Sequence, residues 1–419
     1  MLRSLYLKKV GPAPEMKMKL APRLNLIAGD NGLGKSFLLD VAWWALTRTW
    51  ALDTNGKPLT VVPRSPKQAS IKYSFTTKAR RSYQSESRFD PMTSQWSVRA
   101  GRPPIPGLIL YARVDGGFSV WDPARNYWRD GGNDRPRAFL FRPSEVWEGN
   151  DLCEGLIRDW GSWQREGGEA FETLKKVLKV LSPPTEPLVP GGLRKLTVDD
   201  PRRYPTLQMP YGEDVAVVHA SAGMRRIIAL TYLLSWAWQE HLAAAKLREE
   251  QPAQEIIFLI DEIEAHLHPK WQRCIVPALL QVMEVLTGGH GSRVQLIAAT
   301  HSPLVLASVE PSFDIETDKL FLLELEDRVV ALHEKPWAMQ GDAASWLVSD
   351  TFDLRQARSV EAERAIEAAE ALMRGETATL PADLRTKEAI HAELQRVLAG
   401  HDRFWPRWIV SYERSGGRA

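Results

Sequence analysis

The sequence predicts an α/β fold: a mixed sheet covered by helices, an antiparallel β-lobe beside it, and a helical region at the C-terminal end. Two observations predict it. Three apolar runs of strand length, residues 24–28, 256–260 and 294–299, each end in polar residues able to do chemistry. Between them lie segments with helical spacing, the longest carrying Ile227, Ile228, Leu230, Tyr232, Leu233, Leu234, Trp236 and Ala237. The run 256–260 is apolar throughout, which suits a strand buried on both faces, as parallel strands are. The C-terminal ends of such strands form the crevice in which open α/β sheets bind their ligands.

The first run leads into Gly29-Asp30-Asn31-Gly32-Leu33-Gly34-Lys35-Ser36, the G-x-x-x-x-G-K-[ST] phosphate-binding loop, and a helix begins at Phe37. Successive main-chain N–H groups and the positive end of that helix make a socket for the β- and γ-phosphates. Lys35 adds a point charge there, and the Ser36 hydroxyl can hold Mg²⁺. Asp30, Asn31, Gly32, Leu33, Gly34, Lys35, Ser36 and Phe37 are therefore the predicted nucleotide-binding set. The second run delivers Asp261 and Glu262: one carboxylate can hold Mg²⁺, and the next can polarise an attacking water. The third ends in Thr300, His301 and Ser302, where a histidine can contact the γ-phosphate. A fourth segment, Ser221-Ala222-Gly223-Met224-Arg225-Arg226, opens the long helix. Ser221 is a natural N-cap, and Gly223 lets a ligand approach the first-turn N–H groups. The phosphate loop already holds the γ-phosphate from one side, so this second terminus serves a nucleotide on another copy. That implies a sandwich dimer.

In the order phosphate loop, S-x-G segment, carboxylate pair and histidine, the chain resembles the ABC-type ATPase heads. The form G-x-N-G-x-G-K-S, with Asn31, is similar to the RecF and SMC branch and unlike membrane transporters. The stretch Asp261-Glu262-Ile263-Glu264-Ala265-His266-Leu267-His268-Pro269 resembles the D-E-x-E-x-H-L-H-P of RecF-like and OLD-like ATPases. This resemblance covers about residues 1–335. It implies ATP and Mg²⁺ as cofactors, with Lys35 and Ser36 on the phosphates and metal. It further implies Asp261 as the Mg²⁺-side carboxylate, Glu262 as the catalytic base and His301 as the switch histidine, with Ser221 and Gly223 acting in trans. The usual L-S-G-G-Q signature is here Ala220-Ser221-Ala222-Gly223-Met224, which keeps the serine and second glycine but lacks the glutamine. Gln164 is the candidate for the Gln loop.

The layout that follows has a first lobe over residues 1–150, with β-segments around 68–76, 82–88, 96–99 and 108–120. A helical segment and a Pro/Gly linker (182–192) fill residues 151–204, and a second lobe fills 205–335. Residues 336–419 form a helical region suited to docking a partner. At 419 residues, 44% hydrophobic and 25% charged, the chain has ample core. Cys153 and Cys274 give no disulfide framework or metal cluster and fit a reducing compartment. No apolar signal core opens the sequence, and no apolar stretch approaches ~18 residues, so the expectation is a cytoplasmic protein with no membrane partner.

Three readings of its role stay open. The stretch from Trp346-Leu347-Val348-Ser349-Asp350-Thr351-Phe352-Asp353-Leu354 through Ser359-Val360-Glu361-Ala362-Glu363-Arg364 and the late Phe404-Trp405-Pro406-Arg407-Trp408 resemble short ATPases of the Septu type. That implies an ATP-gated regulator, homodimeric or a higher homo-oligomer through ATP, paired with a separate HNH-type nuclease in prokaryotic anti-phage defence. The RecF-like resemblance implies instead a repair ATPase binding DNA directly. The third reading is the ATPase half of another toxin pair. Charge does not decide among them, because a net charge of +2 is barely basic. DNA contact would rest on Lys78-Ala79-Arg80-Arg81, Arg135-Pro136-Arg137, Arg194-Lys195 and Arg202-Arg203, with Tyr83, Trp96, Tyr127 and Trp128 to stack on bases. The bland alternative is solvated loops over a Trp-rich core. The chain between Ser36 and Ser221 is too short for a coiled-coil arm and its return. Nor is a nuclease site predicted: Glu361, Glu363, Glu367 and Glu370 fall on a solvated helix face.

Overall fold

The computed structural model describes residues 1–77, 80–98, 105–126, 138–288 and 293–414. Lys78, Ala79, Tyr127, Trp128, Arg135, Pro136 and Arg137, singled out above, lie outside the described residues. The chain divides into two compact units, Met1–Gly341 and Asp342–Ala419.

The first unit opens with β1 (Leu2–Lys8), β2 (Glu15–Lys19) and β3 (Leu24–Gly29), which runs through the glycine loop into α1 (Lys35–Thr47). Next come β4 (Ser70–Thr76), β5 (Ser82–Asp90), β6 (Gln95–Trp96), β7 (Leu108–Ala112), β8 (Phe118–Trp121) and β9 (Phe139–Phe141). Helices α2 (Pro143–Glu148), α3 (Leu156–Glu166) and α4 (Glu169–Val180) precede β10 (Val189–Arg194), β11 (Tyr204–Gln208) and β12 (Asp214–Ala216). The long α5 (Ala222–Leu247) leads to β13 (Glu255–Ile260), α6 (Pro269–Gln272), α7 (Ile275–Thr287), β14 (Arg293–Ala299) and α8 (Pro303–Val309). The hairpin β15 (Asp318–Glu326) and β16 (Val329–Lys335) completes the unit's strands.

Eight strands make the main sheet, in the order β16-β15-β3-β14-β13-β7-β8-β9. The run from β15 to β7 is parallel, and the strands outside it pair antiparallel. Central β13 is buried along its whole length, as its unbroken apolar run requires. One core joins α1, through Leu39 and Trp43, to the sheet and to the separate antiparallel sheet β2-β1-β4-β5-β6.

Two details differ from the sequence reading. The run 108–120 forms two strands, β7 and β8, with Gly116-Gly117, a turn pair in the sequence, between them, and β8 reaches one residue further, to Trp121. The expected linker over 182–192 yields strand β10, at the edge of the sheet β10-β11-β12. Its composition is what the packing needs. A Cβ on Gly191 would stand 2.5 Å from Thr206 Oγ1 and 2.6 Å from Asp214 Oδ2, and Pro190 is tolerated because the strand is an edge.

The second unit holds α9 (Ala343–Leu347), α10 (Val360–Arg374), α11 (Lys387–Val397) and α12 (Trp405–Arg414). Ala365, Ile366 and Ala369 of α10 pack with Ile390 and Leu394 of α11 and with Trp408 of α12. The Trp408 indole donates to His391 Nδ1 at 3.0 Å, which satisfies its buried polar edge. Glu367 and Glu370 pair with Arg355 and Arg407, so the acidic face of α10 is in part neutralised. Among the described residues, no helix is long and apolar enough to cross a membrane.

Candidate active site

Four neighbouring parallel strands, β3, β14, β13 and β7, turn their C-terminal ends to one side of the sheet. β3 carries the glycine loop, β14 carries Thr300 and His301, and β13 carries Asp261 and Glu262. All three were legible in the sequence. The fourth end, Arg113 to Asp115 after β7, was not.

Glycine is obligatory at the first position of the loop. Gly29 has φ 133° and sits opposite Leu323, whose carbonyl would lie 2.3 Å from a Cβ. Gly34 caps α1 at φ 104° and lets Pro12 close over the loop. Asp30, Asn31 and Gly32 are exposed, Leu33 is buried, and Phe37 lies against Gly11, where a Cβ would stand 2.4 Å from the ring. The Lys35 ammonium donates to the carbonyls of Gly29 and Asp30, each at 2.7 Å. Burial lowers its pKa, against the pull of Glu262, Glu264 and Asp261.

Ser36 Oγ donates to Asp261 Oδ1 at 2.9 Å, which joins the start of α1 to the end of β13. Burial pushes the Asp261 carboxyl up, and the Ser36 bond works the other way. Glu262 holds a left-handed φ of 42°, a conformation that costs a non-glycine residue about 1–3 kcal/mol. Its Oε1 lies 4.0 Å from His301 Nε2. Burial and the Lys35 charge both lower the His301 pKa, which favours a neutral imidazole.

Behind these groups stands a ring of partners whose part was not legible from their residue types alone. Arg226, half-buried on α5, donates to the carbonyls of Arg113 (3.3 Å), Val114 (3.1 Å), Asp261 (2.9 Å) and Glu262 (3.2 Å). Arg113 pairs with Asp40 at 3.0 Å and Asp115 at 3.4 Å, and the Tyr111 hydroxyl also donates to Asp40 at 3.0 Å. Burial outweighs those partners and pushes Asp40 up to about 6. Glu264 accepts from Thr300 Oγ1 at 2.7 Å and from the His301 main-chain N–H. A signal existed for Arg113 and Asp115: they follow an apolar run, as the other three strand ends do.

Ser221 is exposed and caps α5 by accepting from the Met224 N–H at 3.3 Å. Gly223 has a reason within its own chain, since a Cβ there would lie 2.5 Å from the His266 carbonyl. Gln164 lies on α3, where its Nε2 donates to Gly191 O at 2.7 Å and its Oε1 accepts from Trp160. Trp96 is buried and donates to Val61 O, so it presents no ring to a base. Arg202 is engaged by Asp200 and Glu148.

The family described as "AAA domain, putative AbiEii toxin, Type IV TA system" matches residues 24–307, well over half of the chain. The chain belongs to this AAA-domain family. The matched stretch starts at β3, ends in α8 and takes in the loop, α5, Asp261 and His301. The chain is 32% identical over 100 residues to "Retron Ec83 probable ATPase" of Escherichia coli, covering 24% of this chain and 15% of the relative. Identity to the Septu protein PtuA of Bacillus mycoides is 27% over 185 residues, 44% of this chain and 22% of that one. The matches thus span less than a quarter of each relative's length. A solved SMC head domain from Thermotoga maritima aligns over 80% of this chain and 99% of its own, at 13% identity and a TM-score of 0.38.

Proposed function

We propose that this chain is an ABC-type ATPase that closes as a homodimer over ATP and Mg²⁺ and governs a separate nuclease in prokaryotic anti-phage defence. The observation that carries the catalytic part is the meeting of Lys35, Ser36, Asp261, Glu262 and His301 at adjacent strand ends, with Ser36 bonded to Asp261 and Glu262 beside His301. The defence setting is supported by the names of the retron and Septu relatives. The helical unit from Asp342 onward is the proposed carrier of the nuclease, for which an HNH type is favoured. Direct DNA binding finds less support, since Trp96 is buried and Arg202 is already paired.

Ser36 and Asp261 present hard oxygens 2.9 Å apart, the donor chemistry that Mg²⁺ takes, and these residues would hold it. Bound there, the cation would offset charge on the transferring phosphoryl group. The remaining work falls to side chains and main chain. Lys35, exchanging its loop carbonyls for phosphate oxygens, and the loop N–H groups hold the triphosphate. Glu262 takes a proton from water as the new P–O bond forms and the bond to the ADP oxygen breaks, giving ADP and phosphate. Neutral His301 donates to the γ-phosphate.

Purified protein tests this directly. Glu262→Gln should lower ATP turnover by about 10²–10³-fold with nucleotide affinity little changed. Lys35→Ala should weaken nucleotide binding itself. Unimpaired turnover in Glu262→Gln removes the base assignment.

A further inference from the structure

We infer that Glu264 is a positioning residue that ties the histidine loop to the base loop, so that Glu262 and His301 address one phosphate as a single unit. The inference rests on the ATPase reading and adds the device that sets its geometry. Both carboxylate oxygens of Glu264 are engaged: Oε2 accepts from Thr300 Oγ1 at 2.7 Å, and Oε1 accepts the His301 main-chain N–H. A second tie runs alongside. Ser302 Oγ donates to Gln272 Oε1 at 2.7 Å, and Gln272 Nε2 donates to Leu267 O at 2.9 Å. The Ile263 N–H adds a bond to Ala299 O at 3.1 Å. Segments 261–268 and 299–302, which leave neighbouring strands, are therefore stitched at three levels. The 4.0 Å approach of His301 to Glu262 lies within that stitching. Glu264 is the tie that reaches the His301 main chain itself.

The chemistry separates positioning from a role for the charge. Glutamine at 264 keeps an acceptor for the His301 N–H, and its amide can donate to the Thr300 hydroxyl; alanine loses both ties. Glu264→Gln should hold kcat within about threefold of wild type, whereas Glu264→Ala should lose about 10–100-fold in kcat with KM for ATP nearly unchanged, as misplacement of a catalytic group does. Thr300→Val, which removes one tie, should lose kcat selectively by a smaller factor. Three outcomes overturn the inference: full turnover in Glu264→Ala, an equal loss in Glu264→Gln, or a kcat loss matched by KM and thermal midpoint. If Glu264→Ala does not fold, Thr300→Val decides, and an unchanged kcat there is equally fatal. Glu262→Gln is assayed beside them. Should it also turn over normally, the ATPase assignment itself has failed and the inference goes with it. If Glu262→Gln is dead while Glu264→Ala is active, only the positioning role is lost.

Discussion

Asp159 on α3 is raised to about 6 by burial, although the Tyr232 hydroxyl of α5 donates to it at 2.6 Å. A carboxyl raised in the folded state binds its proton more tightly than in the unfolded chain. Between its ordinary value of 3.8 and about 6, the native protein therefore holds more protons than the unfolded one. Its contribution to stability is fully present below about pH 4, is lost as the pH rises through about 6, and stays lost above. Two pKa units amount to at most ~3 kcal/mol, and partial exposure leaves about 1–2 kcal/mol. Asp159→Asn keeps an acceptor for Tyr232 and removes the ionisation. The variant should melt a few degrees above wild type at pH 8, and the two curves should converge near pH 4.5; thermal unfolding across that range checks it. A gap that does not change with pH contradicts the linkage. Asp40 moves in the same direction, but its substitution would leave Arg113 with Asp115 as its remaining carboxylate, so Asp159 is the cleaner probe. The two residues also differ from Lys35 in legibility. Lys35 is marked as a candidate by its spacing from Gly29 and Gly34, whereas burial of Asp159 between α3 and α5 exists only once the helices have packed.

Strands and helices were legible where apolar residues ran long. β13 is apolar from Ile256 to Ile260 because both its faces are covered, β3 and β14 each carry a buried amide, Asn25 and Gln295, within their apolar runs, and α5 is buried without a break from Leu230 to Trp238. β10 was not legible, because Pro190, Gly191 and Gly192 read locally as a linker while the demand for glycine comes from Thr206 and Asp214, far along the chain. Gly223 carries the same lesson into the site. Its sequence context points to a ligand, yet its close neighbour is the His266 carbonyl. One turn further on, Arg226 of the same helix grips the carbonyls of Asp261 and Glu262. The start of α5 is thus fitted against the segment that follows β13. Gly223→Ala should force the two apart, at a cost of about 1–3 kcal/mol for overpacking. A lower thermal midpoint in the absence of nucleotide is the expected result. Had the glycine served a ligand alone, the empty protein would be indifferent to the change.

At the scale of the whole molecule, the exposed start of α5 makes the strongest demand. Ser221 and the first-turn N–H groups offer partial positive charge in a first turn that carries no acidic residue, while the glycine loop sits at the start of a different helix, α1. If a second copy supplies the phosphate, two-fold symmetry gives two sites, each built from one subunit's Lys35 and the other's Ser221. Ser221→Arg should then stop hydrolysis at the one site that each Ser221 lines, at a cap cost of only about 1 kcal/mol, and leave ATP binding intact. Lys35→Ala should be inactive for the opposite reason, since it keeps Ser221 but holds no nucleotide. Mixing the two inactive proteins makes the arrangement decisive. In a mixed dimer, the intact loop of one subunit meets the intact Ser221 of the other, and one complete site is restored. With random pairing, half the dimers are mixed and each has one good site of two, so about a quarter of wild-type turnover should return. A mixture that stays inactive would place Ser221 on its own subunit's nucleotide, or on none, and the proposed dimer would have no role in hydrolysis.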